Sequence, residues 1–380
     1  MNKGVTRRQF FKNAGLTAGG GLLCGSFFIN ANGISAIKNS TDNSNKTYPA
    51  CGDVALRPRV VILSDFPPLD VIPGGAGYGS PEMRSDTDDI QSMIRFLLYS
   101  NELEVEGLVA SAATMANVAN KKGILDLLSL YNRVEDNLRL HDPRFPTADK
   151  LRNVTWVGNS NSYAKTAGEI IGIGKDSEAS EAIISLIDRP DPRPVWFCVW
   201  GGSRELAQAI WKVQSTRSSA DTEKFVSKLR VYLIALQDGS GQWLLDTFPN
   251  LFVIYSANNW RGMMVNSPGS DSKLADLAWL NKNIRRGNGF LGLGYPESGW
   301  DTEQPGVCEG DSPSFLHLIS GVRGINDPEK PEQPGWGGQF VRLDSNRNHW
   351  TDHPDGEKTV WRWRQQVQDE FANRMKWCVN

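Results

Sequence analysis

From about residue 57 onward, the apolar positions of the chain fall into two kinds of run. Short continuous stretches such as "RVVILS" (59–64) are apolar at their centre and rich in β-branched residues (Val60, Val61 and Ile62), as suits a strand buried on both faces. Longer stretches repeat their apolar residues every three or four positions. In "DDIQSMIRFLLYSN" these are Ile90, Met93, Ile94, Phe96, Leu97 and Leu98, the spacing of one helix face. The same reading predicts further strands at "EVEGLVAS", "PVWFCVW" (194–200), "LRVYLIAL" (229–236) and "LFVIYSA" (251–257). It predicts helices at "ANVANKKGILDLLSLY", "GGSRELAQAIWKV" and "SKLADLAWLNKNIRRG", and a last one in "KTVWRWRQQVQDEFANRMKWCV" docked by its aromatics. Strands that alternate with helices imply an α/β fold with a largely parallel central sheet and helices on both faces. No internal repeat is visible.

The segment before this pattern has a different character. "TRRQFFKNAGL" (6–16) sets Arg7 and Arg8 ahead of a short, Gly-rich apolar run that ends near Ile29. A basic stretch before a short apolar one reads as an export signal, and it resembles the twin-arginine pattern, including Phe10, Phe11 and Lys12. The run is short for a membrane span. The expected organisation is therefore an export signal at 1–36, a polar linker at 37–56 and one domain at 57–380, with a periplasmic or extracellular location. Beyond the signal, Cys51, Cys198, Cys308 and Cys378 are scattered and lack zinc-site spacing. Cys198, inside an apolar run, is expected to be a buried thiol.

Charge removes one class of partner. A net charge of -2 and a pI near 6.2 offer no polyanion-binding surface, so a nucleic acid polymer is not expected. The 13 tryptophans suit stacking on flat ligands, although a core or core-edge position is the favoured reading for most of them.

In parallel sheets, ligands bind at the carboxyl ends of strands. Asp65 follows the first strand, Ser111 the second, Trp200-Gly201-Gly202 the third and Asn258-Asn259 the fifth. The stretch "RSDTDDIQSM" adds Asp86, Asp88 and Asp89 at a helix start, and "EGDSPSFLHLI" puts Asp311 at another. Helix capping explains one such carboxylate or two. It does not explain Asp65 at the tip of a strand. Oxygen ligands drawn from separate loops describe a site for a hard cation, with calcium ahead of magnesium.

At these residues the chain resembles a family. Nucleoside hydrolases open with a strand and a D-x-D-P-G-x-D-D motif, and "ILSD" with "DTDDIQS" looks like its two halves parted by an insertion. The closer resemblance is to the nucleoside hydrolase-like domain of the cellulose-binding Sde182-type bacterial proteins. It runs through "DTDDIQSMIRFLLYSNELEVEGLVAS", "GIGKDSEASEAIISLID", "VWGGSRELAQA", "EGDSPSFLHLISGVRGINDPEKPEQPGWGGQF" and "VWRWRQQVQDEFANRMKW", roughly residues 57–380. Larger members carry a further β-domain after this region.

The resemblance implies a Rossmann-like nucleoside hydrolase fold and a Ca2+ site. It implies Asp65 as calcium ligand and general base toward a calcium-bound water, and Asp89 and Asp311 as calcium ligands. The main-chain carbonyl of Trp200 would be a further ligand. Asp88 would bind a sugar diol, with Asn258 and Asn259 nearby, and the role of Asp86 is open. Two features depart from the family. Gly310 stands where nucleoside hydrolases commonly have a His that assists a purine leaving group. The loop "FPPLDVIPGGAGYGSPEMRS" is lengthened, as a lid or specificity element would be. Glu82, Glu297, Glu309 and His317 are then the candidates for protonating a leaving group. The expected function is an exported, calcium-dependent hydrolase of an N-ribosyl or related furanosyl bond. The alternative is a non-catalytic carbohydrate-binding protein. Either way the ligand is a sugar, nucleoside or glycan.

Overall fold

A computed structural model describes residues 57–68, 70, 84–299 and 305–379. The expected export signal and linker, Glu82 and most of the lengthened loop lie outside the described residues. Among those residues eight strands form one sheet: β1 (Arg59–Ser64), β2 (Glu104–Ala110), β3 (Thr155–Val157), β4 (Val195–Val199), β5 (Leu229–Ile234), β6 (Phe252–Ser256), β7 (Phe340–Arg342) and β8 (His349–Asp352). Their spatial order is β3-β2-β1-β4-β5-β6-β8-β7. Neighbours run parallel except the edge pair of β7 with β8. From β1 the chain fills one side with β2 and β3 and the other with β4, β5 and β6. The order therefore reverses between β1 and β4, and their carboxyl ends open a crevice where such sheets bind ligands.

Helices of nine or more residues are α1 (Thr87–Tyr99), α2 (Lys122–Asn132), α3 (Glu178–Ile187), α4 (Arg204–Thr216), α5 (Ser219–Ser227), α6 (Gly239–Thr247), α7 (Ser312–Val322) and α8 (Arg364–Lys376). Side chains alternate along each strand, so the sheet offers two apolar faces. Val61, Leu63, Phe197, Val199, Val231 and Leu233 pack with Ile183, Leu206, Ile210 and Leu244 of α3, α4 and α6. Trp196 and Tyr232 point the other way, against His317 of α7. Both faces are covered, which is why the strands read as unbroken apolar runs.

The five strands expected from the apolar runs are β1, β2, β4, β5 and β6, each within two residues of its expected ends. β3, β7 and β8 were not expected; at three or four residues they are too short to show a period. The helix expected at "SKLADLAWLNKNIRRG" is broken. It is a 3₁₀ turn at Ser272–Leu274, one helical turn at Leu277–Leu280 and a π turn at Asn281–Arg285. Asp276 starts the middle piece afresh, its side chain accepting from the Trp279 amide at 2.7 Å. The last segment breaks at 362–363 before α8. Of the aromatics there, only Phe371 is fully buried. The buried arginines do as much: Arg364 donates to the carbonyls of Gly262 and Met264 at 2.7 and 2.6 Å, and Arg374 to Leu98 at 2.6 Å. Cys198 is a buried thiol, and burial pushes it up to about 12.

One ion pair fastens three segments together. Arg95 of α1 and Glu309, two residues before Asp311, pair with both side chains wholly buried. Arg95 also donates to the Gln368 side chain of α8 at 2.7 Å and lies 3.8 Å over the Phe371 ring. Glu309 further accepts from Ser312 Oγ at 2.7 Å and from the Tyr295 hydroxyl. Removing one partner leaves a buried charge uncompensated, which typically costs about 3–5 kcal/mol. Glu309→Gln is therefore expected to lower the unfolding free energy by that order in a chemical denaturation series. A change under about 1 kcal/mol would show that the pair is dispensable.

Candidate functional site

Every aspartate singled out from the sequence reaches the crevice between β1 and β4 or its margin. Asp65 directly follows β1. Asp86 is the N-cap residue of α1, and Asp88 and Asp89 lie in its first turn. Asp311 is the N-cap residue of α7, with proline following at the helix start. Asp86 and Asp311 both stand where a capping side chain belongs, yet neither makes a side-chain capping hydrogen bond. Capping is therefore not what brings these carboxylates together.

None of the five aspartates is more than 1% exposed. Carboxylate oxygens of Asp65, Asp86 and Asp89 lie within 4.8 Å of one another, and so do those of Asp88, Asp89 and Asp311. Asp89 belongs to both groups. Its Oδ1 accepts from Ser64 Oγ at 2.5 Å and from the Asp65 amide at 3.3 Å. Burial first, then the charges of Asp311, Asp65 and Asp86, push its carboxyl well above the usual carboxylate range. Buried carboxylates this close repel one another in proportion to their ionisation, and a hard cation relieves all of that at once. The donor set thus fits a divalent cation held by oxygen ligands, and Asp86 joins it alongside the residues named from the sequence.

Glycines make the crowding possible. A Cβ on Gly201 would stand 2.5 Å from Asp65 Oδ1, and one on Gly202 would stand 2.5 Å from Asp238 Oδ2. The other Asp65 oxygen accepts from the Ala116 amide at 3.1 Å. The Trp200 amide donates to Leu63 at 2.8 Å, extending the β1–β4 pairing into the site. The Trp200 carbonyl accepts from the Gln237 side chain, which keeps one lone pair for another partner. Its indole is buried against Phe96 and Phe315 and donates to Ser314 Oγ at 2.8 Å.

The remaining candidates separate. Asn259 is buried and accepts from Ser256 Oγ, whereas Asn258 is exposed. Their backbone amides donate to Asp352 Oδ2 at 3.0 and 2.6 Å. Burial pushes Asp352 up to about 6, against the pull of those amides. The sequence reading missed Asp352, because β8 is too short to mark its carboxyl end. The residue of this loop that reaches the aspartates is Trp260: a Cβ on Gly310 would meet Asp88 Oδ2 and the Trp260 ring, each at 3.0 Å.

Three of the four leaving-group acids are described, and each has a structural partner. Glu297 pairs with Arg285, and Glu309 with Arg95. His317 is wholly buried among Trp196, Tyr232 and Phe340, and its Nε2 meets the Pro328 carbonyl at 3.0 Å. It is a core histidine, because its helix face turns to the sheet rather than to the crevice.

Comparison with known proteins agrees with this geometry. Residues 80–340 match the family described as cellulose-binding Sde182, nucleoside hydrolase-like domain. The chain belongs to the Sde182 nucleoside hydrolase-like family. A solved structure of a nucleoside hydrolase-related hypothetical protein from Saccharophagus degradans, associated with carbohydrate metabolism, overlays with a TM-score of 0.68. The two are 32% identical over 85% of this chain and 72% of that one. A plant nucleoside hydrolase overlays with a TM-score of 0.43 at 12% identity, covering 84% of this chain and 99% of that one, too loosely to carry any argument. No curated protein matches the sequence. In this member of the Sde182 family, Trp260 fills the space beside position 310 into which a larger side chain would project.

His317 is expected to give this family member a distinct acid limb in its stability. Burial lowers its imidazole from 6.5 to about 4. Below about 6.5 the unfolded chain takes up a proton at this imidazole that the folded one refuses, so the His317 contribution to stability is full above that pH and falls as the pH drops toward 4. The loss is on the order of 3 kcal/mol. His317→Gln keeps a donor for the Pro328 carbonyl and cannot titrate. Its unfolding free energy is expected to fall less than that of wild type between pH 6.5 and 4, and parallel curves would contradict this account.

Proposed function

We propose that this chain is an exported hydrolase that cleaves an N-ribosyl or related furanosyl glycosidic bond with the help of a bound calcium ion. The observation that carries this reading is the pair of overlapping, buried carboxylate groups at the crevice between β1 and β4. Asp65, Asp86, Asp89 and Asp311 would hold the ion, with the Trp200 carbonyl as a further oxygen donor. When bound, the ion would supply the positive charge that polarises water and orients sugar hydroxyls.

The protein's own groups have separate tasks. Asp65 takes the proton from the attacking water. Its Oδ2 is fixed by the Ala116 amide, which orients Oδ1 on the Gly201 side. Asp88 accepts hydrogen bonds from a sugar diol. Cleavage of a glycosidic bond passes through an oxocarbenium-like state, and the surrounding carboxylates stabilise its positive charge. With glycine at 310 and the described acids engaged elsewhere, the favoured substrate has a leaving group that departs with little protonation.

The second reading is a sugar-binding protein without turnover. Gly310 favours it, as does the cellulose-binding description of the family.

Metal content and turnover test the two readings together. Wild type supplied with calcium is expected to retain one ion, and Asp89→Asn and Asp311→Asn to lose it. On an aryl furanoside or nucleoside panel, Asp65→Asn is expected to bind ligand nearly normally in calorimetry yet turn over about 10²–10⁴-fold more slowly. A wild type that hydrolyses nothing on the panel but binds glycans would replace the hydrolase with the binding protein. An Asp65→Asn variant as fast as wild type would overturn the role of Asp65.

Export through the twin-arginine route is part of the same proposal and rests on Arg7-Arg8. Replacing both with Lys is expected to leave precursor in the cytoplasm in a fractionation experiment, and an unchanged exported yield would point to general secretion.

A further inference from the structure

Gln237 is a buried polar residue of the crevice that the calcium and sugar roles leave unused. It follows β5 by three residues, beyond Ala235, whose φ of +62° is a left-handed backbone where the chain turns out of the sheet. Its side-chain Nε2 donates to the carbonyl of Trp200 and to that of Ile234, the latter at 3.3 Å. Val199 pairs with Leu233, so Trp200 and Ile234 are the next step of the same ladder, at the carboxyl ends of β4 and β5. A carboxamide that bridges their carbonyls therefore lies across the strand ends, at the end of the sheet where the crevice opens. The Gln237 main-chain carbonyl accepts from Thr114 Oγ1 at 2.6 Å, and the Ala116 amide of the same loop donates to Asp65 at 3.1 Å. The Trp200 peptide runs into Gly201, where a Cβ would stand 2.5 Å from Asp65 Oδ1. Gln237 and Asp65 are thus neighbours across one loop and one peptide unit.

One end of this side chain is answered and the other is not. Gln237 is 7% exposed, and among the described residues no hydrogen-bond donor meets its Oε1. The two carbonyls fix which end is which, because the reversed carboxamide would set oxygen against oxygen. A buried carboxamide oxygen without a donor is costly, and such atoms persist where a ligand or an ordered water completes them. The aspartates around it bring acceptor oxygens, and an ionised carboxylate has no proton to give. A hydroxyl carries one proton to donate, which matches a single acceptor left over, and a ligand hydroxyl placed there does the work of a displaced water.

We infer that Gln237 is a sugar-binding residue: its side-chain oxygen accepts a hydrogen bond from one hydroxyl of the ligand, and the carbonyls of Trp200 and Ile234 hold it in place for that. The inference deepens the sugar reading of the crevice and rests on it for the ligand, but not on turnover. It makes the crevice selective for a furanose that carries this hydroxyl over its deoxy counterpart, because the deoxy sugar leaves the acceptor buried and unanswered.

Calorimetry on the full chain with calcium tests this. Methyl ribofuranoside and methyl arabinofuranoside serve as ligands, since methoxide is a poor leaving group and binding is read without cleavage. Each is compared with its 2-, 3- and 5-deoxy counterparts. At one hydroxyl position the loss on deoxygenation is expected to depend on Gln237: about tenfold or more in wild type, and about threefold or less in Gln237→Met, which fills the same volume without the acceptor. Positions read by Asp88 keep their losses in that variant. Gln237→Glu retains an acceptor oxygen and is expected to retain the difference. A merely structural Gln237 would weaken every sugar alike and leave each deoxy difference as in wild type, and that result would overturn the inference; so would loss of the difference in the Glu variant as well. Wild type that binds none of the furanosides would remove the sugar reading and this inference together. Binding without hydrolysis of any nucleoside or aryl furanoside would remove only the hydrolase reading.

Discussion

Buried negative charge at the crevice is the constraint around which the structure is arranged. Five aspartates converge there with at most 1% exposure, and Asp89 stands in both close groups. Carboxylates at this spacing destabilise the fold when ionised, unless donors or a cation answer them. Partial answers are built in. Ser64 and the Asp65 amide donate to Asp89, and the N-termini of α1 and α7 bring the positive ends of two helix dipoles to the same place. A cation held there would supply the rest, and without one the arrangement is costly to stability.

The surrounding structure keeps these elements from drifting apart. Arg95 lies on the helix that starts with Asp88 and Asp89, and Glu309 lies two residues before Asp311. Their buried pair therefore couples the two acid-bearing segments, while Gln368 and Phe371 bring in the C-terminal helix. Trp200 makes a second tie through Ser314, whose hydroxyl donates to the Asp311 carbonyl at 2.6 Å. Gly201 and Gly202 let the backbone after β4 pass between Asp65 and Asp238, where any Cβ would collide.

Trp260 against Gly310 narrows the chemistry of the crevice, because it fills the space where a side chain at 310 would project. The departure from the nucleoside hydrolase pattern is thus a packed arrangement rather than a vacancy.

The central strands were legible in the sequence because burial on both faces demands unbroken apolar runs, and that demand is local. The family and the aspartates were legible for a related reason: strand ends and helix starts carry residues whose order survives in one dimension. The sequence could also name Gly310 as a departure. It could not show that Asp86 leaves its cap position unused, or that Trp260 occupies the space beside Gly310, since both depend on segments far apart in the chain. His317 and Glu309 looked like candidate acids, and only packing turned one into a core residue and the other into the partner of Arg95. Short edge strands such as β8, and with them Asp352, escaped because three or four residues hold no period. Residue type and local period determined which elements form; the distances between their ends, and therefore the chemistry at the site, were decided by how the elements pack.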